Sequence, residues 1–331
     1  MQRSLTVVGE INTGHFGDLA LAFEAIEGAK KAGLDVIKFQ SWAPESLFTQ
    51  RYLMQNRIEA GLYKKFALDS GKLREIAEYC SNLGVGFSST PYSHDEVDQL
   101  AQIPNLAFIK VASMDLTNYP LLDHMCQTGL PIVLSTGMGS LVEISRSIER
   151  VLSKTKEPIT VLHCTSLYPT IDSVANLANI SMLRDSFPDI NIGYSDHTLG
   201  IEAGVVAASL GAILLEKHFT TNKTKIGFDN AMALSLTEIE AYVSAARRAV
   251  SLLGSYEREL TSAEEEQKEK MRRSAFLKRS VATGELLTED LVEFKRPGSG
   301  LDPSAIELHL GRVFKVSLQE GEQLLAEHLS N

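Results

Sequence analysis

The sequence predicts an α/β chain: a (β/α)8 barrel followed by a small β-rich C-terminal domain. Three observations carry that reading. Eight short apolar or β-branched runs recur along the first 220 residues. Segments of helical period separate them. After Arg273 the texture changes to short strands, TGE- and EGE-type turns and a Pro-Gly loop. Strands that alternate with helices imply parallel pairing through crossover helices, and eight is the number that closes a barrel. An open doubly wound sheet is the alternative, but no Gly-rich dinucleotide loop follows the first strand.

The predicted strands are, in order, LTVVGE (5–10), DVIKFQ (35–40), VGFSST (85–90), FIKVAS (108–113), PIVLST (131–136), ITVLHC (159–164), INIGYS (190–195) and AILLEKH (212–218). Between them, LALAFEAIEGAKKAG, KLREIAEYCSNLG and LVEISRSIERVLSK have helical period, and several such segments stop at glycine, including Gly33, Gly84 and Gly129. The stretch 237–254 reads as the last barrel helix. The barrel is therefore expected over 1–255. A charged, solvated helix or linker is expected over 256–273, and a second domain over 274–331. A domain of that size sits near the lower limit for independent stability, so it is expected to pack on something.

Composition excludes several functions. The chain has 331 residues, 44% apolar and 22% charged, as in an ordinary globular protein. A net charge of −10 with no large basic block argues against nucleic acid as a partner. Cys80, Cys126 and Cys164 lack metal-finger spacing and are expected to be reduced thiols. The N-terminal MQRSLTVVGE lacks the apolar run of a signal peptide, and no stretch approaches the roughly 18 apolar residues of a membrane span. A soluble, cytoplasmic protein with no membrane partner is expected.

Chemistry in a (β/α)8 barrel gathers at the C-terminal ends of the strands, and here nearly every strand ends polar. The ends carry Glu10, Lys38 with Gln40, Ser89 with Thr90, Lys110 with Ser113, Ser135 with Thr136, His163, Ser195 to His197, and Glu216 with His218. Side chains at i and i+2 share a face, so Glu216 and His218 should point together while Lys217 points toward the helices or a salt bridge. Either His197 or His218 alone would read as a hydrogen-bonded structural residue. Placed at the ends of neighbouring strands with carboxylates close by, they read as a pair for a divalent metal such as Mn2+ or Mg2+. Asp196 is read as an orienting group behind them. Lys38 and Lys110, with Thr90, Ser113, Ser135 and Ser195, offer two ammonium groups and four hydroxyls to phosphate or carboxylate oxygens. Inward lysines cost desolvation unless an anion pairs with them, so an anion pocket beside a metal is expected. That combination suits a phosphorylated acid reacting with a metal-polarised carbonyl.

At these residues the chain resembles the sialic acid (N-acetylneuraminate) synthase family, with its legionaminic and pseudaminic acid synthase relatives. The matching stretches are GEINTGHFGD, IKFQ, FSSTPY, IKVASMDLTNYPLL, VLSTGM, LHCTSLYPT, NIGYSDHTLG and LLEKHFT, followed by RSV and FKRPGSGLDP in the C-terminal domain. The sequence departs from the family pattern at Gly14, Asp115, Ser166 and Asn230. The resemblance implies a TIM barrel with an antifreeze-like (SAF) domain. It also implies a metal-dependent condensation of phosphoenolpyruvate with an N-acetylated mannose-type sugar, with Mn2+ favoured and Mg2+ or Co2+ as substitutes. By similarity His197 and His218 would ligate the metal, and Lys38, Thr90, Lys110, Ser113, Ser135 and Ser195 would hold phosphoenolpyruvate. Gln40, Tyr168 and Asp229 would face the sugar, and Glu216, with Asp115 as the other candidate, would be the acid/base. Arg296 would reach over the site of a partner subunit in a domain-swapped homodimer. A Schiff-base aldolase using Lys38 or Lys110 is the rival enzyme, and a non-catalytic sugar-binding protein the rival of another class.

Overall fold

The computed structural model of the chain describes residues 5–225, 227–255 and 257–330. It divides into a unit ending at Gly254 and a unit running from Ser255. In the first, eight strands form a closed barrel in sequence order: β1 (Thr6–Glu10), β2 (Val36–Ser41), β3 (Gly86–Pro91), β4 (Leu106–Val111), β5 (Ile132–Ser135), β6 (Ile159–Cys164), β7 (Asn191–Asp196) and β8 (Leu214–His218). β8 pairs in parallel with β1 and completes the ring. The fourth strand begins two residues earlier than the predicted FIKVAS and stops at Val111, which puts Ser113 in a short 3-10 turn at 113–115.

Local signals place the helices between the strands. Asp18 caps the helix Leu19–Lys31 by accepting from Ala20 N. Reciprocal capping boxes open Leu141–Leu152 (Ser140 with Glu143) and Leu236–Leu253 (Ser235 with Glu238). Gly84, at φ 66°, ends the helix Ser70–Leu83 in the left-handed conformation that glycine adopts freely.

Alternation along the strands makes two apolar layers. Val8, Val36, Phe108, Val133, Leu162 and Leu214 fill the barrel interior, whereas Val7, Ile37, Phe39, Ile109, Leu134, Tyr194 and Leu215 face the helices. The same two-residue step carries the inward row upward from Val8 to Glu10, Val36 to Lys38, Phe108 to Lys110, Val133 to Ser135 and Leu214 to Glu216. Gly193 is required by close approach: a Cβ there would meet the Leu214 carbonyl oxygen at 2.5 Å and Leu162 Cδ2 at 2.6 Å.

In the second unit β9 (Ser274–Leu277) pairs antiparallel with β10 (Val292–Lys295), and Val281, Leu287, Leu291, Phe314, Leu324 and Leu329 supply much of its core. The charged stretch 256–273 groups with this unit, and most of it is the helix Ser262–Met271, which buries none of its residues. All three cysteines are buried free thiols. Among the described residues no helix is long and apolar enough to cross a membrane.

Candidate active site

The upper end of the barrel interior is a small polar cavity of about 80 Å³. Barrel register brings its floor together, because Glu10 is level with both Lys38 and His218, and Ser195 with Glu216. The cavity is lined by Lys38, Gln40, Thr90, Lys110, Ser113, Ser135, Tyr168, Ser195, His197, Glu216, His218 and Asp229. The strand-end residues Ser89, Thr136, His163 and Asp196 do not line it, whereas every barrel residue to which the resemblance gives a role does, except Asp115. That carboxylate sits in the 113–115 turn, accepts from Asn118 Nδ2 at 2.9 Å, and lines neither this cavity nor the larger one beside it. Arg296 is an exposed residue of the second unit, directly after β10.

The lysines do not wait for an external anion, contrary to the sequence argument. Lys38 is ion-paired with Glu10 and lies 3.7 Å from Glu216 Oε2. Lys110 is 3.8 Å from Glu216 Oε1 and donates to Ser135 Oγ at 2.7 Å. Two buried ammonium groups therefore face two buried carboxylates, and the protein supplies its own counter-ions. The carboxylates diverge in acidity. Burial tends to raise Glu216, but the Lys110 and Lys38 charges, aided by His218 and a 3.0 Å bond from Ser195 Oγ, hold it down at about 2. Burial raises Glu10, and the like charge of Glu216 adds to the rise in spite of Lys38. Burial lowers Lys110 despite Glu216, whereas Glu10 and Glu216 outweigh burial and leave Lys38 raised.

The histidines face each other with ring centroids 5.4 Å apart. His197 Nδ1 lies 2.9 Å from the Thr165 carbonyl, to which it donates, so Nε2 is the acceptor nitrogen of its neutral form; burial tends to lower this imidazole, but Cys164 beside it leaves it raised. Burial, with the charge of His197 next, pushes His218 well down and keeps its imidazole neutral. Asp229 Oδ2 is 4.0 Å from His218 Nδ1 and accepts from Asn12 Nδ2. Tyr168 stacks over His197 at 4.1 Å. Two imidazoles with acceptor nitrogens fit a divalent cation, but no group of three or more His, Cys, Asp or Glu converges as a full cage among the described residues. What fits is a two-histidine site completed by water or substrate oxygens.

Asp196 does not orient His197. It points outward, pairs with Lys217 at 3.0 Å and accepts from Thr198 N and Oγ1, while the Thr165 carbonyl holds the imidazole. Lys217 points to the helical side, as alternation requires, and is fully buried. His163 also turns outward, with Nε2 2.8 Å from the Ala175 carbonyl and its ring stacked on Tyr194. Its neighbour Cys164 faces the cavity, 3.8 Å from His197 Nδ1. Counting by twos from the buried Leu162 would have found Cys164. Glu10 was visible as a strand end, but no local signal made it a partner of Lys38. Tyr92, which donates to Gln40 Oε1 at 2.8 Å, and Asn12 were missed as well.

The polar cavity adjoins a larger one of about 410 Å³, and the two share Gln40, Tyr92, Ser113, Tyr168 and Asp229. The polar cavity thus opens on an antechamber the size of a small-molecule site.

Comparison with known proteins agrees with this geometry. The profile of the NeuB family matches residues 25–258, and that of the SAF domain matches residues 272–330. The N,N'-diacetyllegionaminic acid synthase of Legionella pneumophila is 32% identical over 98% of this chain and 94% of its own length. Human N-acetylneuraminate-9-phosphate synthase is 31% identical over 100% of this chain and 94% of its own. Among solved structures, the N-acetylneuraminic acid synthetase of Leptospira borgpetersenii, crystallised with citrate, superposes with a TM-score of 0.75 at 30% identity, covering 80% of this chain and 90% of that one. The chain is an enzyme of the NeuB family, the family of nonulosonic acid synthases, with a SAF domain following its TIM barrel.

Proposed function

We propose that the protein condenses phosphoenolpyruvate with the aldehyde of an N-acylated mannosamine-type sugar, giving a nine-carbon 2-keto-3-deoxy acid and phosphate. The observation that carries the reading is the pairing of Lys38 and Lys110 with two carboxylates of divergent acidity, beside His197 and His218. Groups whose surroundings push their pKa values apart divide acid and base roles between them.

Lys38, Lys110 and the hydroxyls of Thr90, Ser113, Ser135 and Ser195 hold the phosphate and carboxylate of phosphoenolpyruvate. Entry of that anion beside two carboxylates favours protonation of one of them, and Glu10, already raised, takes the proton. A divalent metal, Mn2+ or in its place Mg2+ or Co2+, held by His197 and His218 would supply a Lewis acid that polarises the aldehyde. C3 of phosphoenolpyruvate forms the new bond to the aldehyde carbon, and Glu10 delivers its proton to the developing alkoxide. Glu216, kept ionised by the lysines, accepts a proton from the water that adds at C2. The bond from C2 to the phosphate oxygen then breaks, the new C2 hydroxyl gives its proton to the departing phosphate, and the 2-keto group is left. Arg296 reaching over a partner's site in a domain-swapped homodimer belongs to the same reading, on the family resemblance.

His218→Ala should abolish phosphate release with Mn2+ present while circular dichroism stays unchanged. Full activity in that variant sinks the metal assignment. A second reading, a Schiff-base aldolase with Lys110 as nucleophile, draws on the burial that lowers this lysine. Borohydride trapping of a substrate adduct, with indifference to chelators, would select it.

A further inference from the structure

Asn12, two residues past the end of β1, breaks the local rules of its segment. It is buried and has a φ of 44°, in the left-handed region that costs a residue with a side chain, asparagine less than most. That turn points its backbone N–H back at Glu10, which accepts at Oε1 over 2.6 Å. Its side chain reaches the loop that follows β8, where Nδ2 donates to Asp229 Oδ2. One strained residue thus ties together two carboxylates of the site, and strain of this kind gathers where a site is being held in shape.

One atom of Asn12 is left over. Its Oδ1 is buried and meets no donor among the described residues. The amide cannot turn over to cure this, because an ionised carboxylate only accepts and Oδ1 would then face Asp229. The unpaired atom is therefore fixed as an acceptor, on a residue that lines the larger cavity together with Trp42, Leu47 and Phe48. Gln40 beside it is already engaged, accepting from the Tyr92 hydroxyl at 2.8 Å and donating to Glu10 Oε1 at 3.2 Å. A buried acceptor without a partner costs free energy that a donor on a ligand restores. The kind of ligand is restricted as well. Phosphoenolpyruvate presents ionised acceptor oxygens, which Oδ1 and the Asp229 carboxylate repel. A hydroxyl or an amide N–H of the second substrate is the complementary group.

We propose that Asn12 recognises the acceptor sugar: Oδ1 takes a hydrogen bond from one of its hydroxyl or amide N–H groups, while Nδ2 holds Asp229 in place to take another. This rests on the synthase reading above and adds a binding residue to it.

The test uses the full chain with phosphoenolpyruvate and Mn2+. The acceptor is whichever of N-acetylmannosamine, its 6-phosphate or 2,4-diacetamido-2,4,6-trideoxymannose the native chain uses best. Trp42 is the only tryptophan in the chain and lines the cavity, so its fluorescence reports acceptor binding without turnover. Asn12→Gly deletes the amide and keeps the turn, because glycine adopts a φ of 44° freely. We expect KM and fluorescence-derived Kd for the acceptor to rise about 10-fold or more, with KM for phosphoenolpyruvate within about 2-fold. Asn12→Ala lacks the same amide and should show the same acceptor loss, with a lower unfolding midpoint because alanine resists the turn. Monodeoxy and N-methyl analogues of the acceptor identify the contact. The analogue without the recognised donor should bind the native chain about 10-fold more weakly and lose that penalty in Asn12→Gly. Unchanged acceptor binding in Asn12→Gly, equal losses for both substrates, or no analogue whose penalty disappears overturns the inference and leaves the synthase reading intact. No phosphate release and no fluorescence response from the native chain with any of the three sugars refutes the synthase reading itself, and this inference falls with it.

Discussion

Replacing Lys217 with methionine removes a cation that the barrel has sealed between its strands and its helices. Lys217 and Asp196 are both fully buried, with Nζ 3.0 Å from Asp196 Oδ2. Nζ also donates to the Thr198 carbonyl at 2.6 Å and lies 5.5 Å from the centre of the Tyr242 ring. At an effective dielectric of about 20, two charges at that separation attract by about 5 kcal/mol, before desolvation is subtracted. Methionine preserves most of the side-chain volume, so the cavity term is small. The larger effect is the stranded Asp196 carboxylate, and breaking a buried pair from one side costs about 3–5 kcal/mol. Trp42 lies in the barrel unit, so a guanidinium titration followed by its fluorescence reads that unit without the other. The Lys217→Met midpoint should fall by the equivalent of about 3–5 kcal/mol. Adding Asp196→Asn should restore about 2 kcal/mol of this, because the double variant no longer buries a lone charge. A loss below about 1 kcal/mol for the single variant, or a double variant as weak as the sum of the singles, would refute the reasoning.

Other consequences follow from single contacts. His15 is buried and its Nδ1 accepts from Gly17 N at 3.0 Å; burial lowers it from 6.5 to about 4. A histidine lowered on folding stabilises fully above its unfolded pKa, so about 3 kcal/mol should be lost as pH falls from 6.5 to 4. Equilibrium unfolding across that range should show the loss in the native chain and not in His15→Gln. Glu96 accepts from Ala43 N (2.8 Å), Ser46 Oγ (2.7 Å) and Tyr92 N (2.7 Å), and so pins the arm that carries Trp42, Leu47 and Phe48. In steady-state kinetics Glu96→Ala should raise the sugar KM about 10-fold and leave that for phosphoenolpyruvate within about 2-fold. Gly193→Ala should lower barrel stability by more than about 2 kcal/mol in the same titration, since its methyl meets strand backbone that cannot yield.

The barrel was legible because its signals are local. Strand runs, capping residues and two-residue alternation each act within a few positions, and together they set the element order and sent Lys217 outward and Glu216 and His218 inward. Where the reading went astray, it usually left that local rule. His163 stands at a strand end, but the two-residue step from Leu162 leads to Cys164, and His163 turns outward. Asp196, read as an orienting group behind the histidines, alternates with Ser195 and turns to Lys217 instead.

By itself, then, the sequence determined the fold class, the inward row and the family. Tertiary structure alone decided how the charges in that row neutralise one another. Closing the ring seats β1 against β8, so that Glu10, paired with Lys38 across β1 and β2, also lies in the field of Glu216, 206 positions along the chain. The same closure sets Asn12 on Asp229. No local pattern encodes such a meeting, because the energy of a buried charge depends on which distant groups share its low-dielectric space.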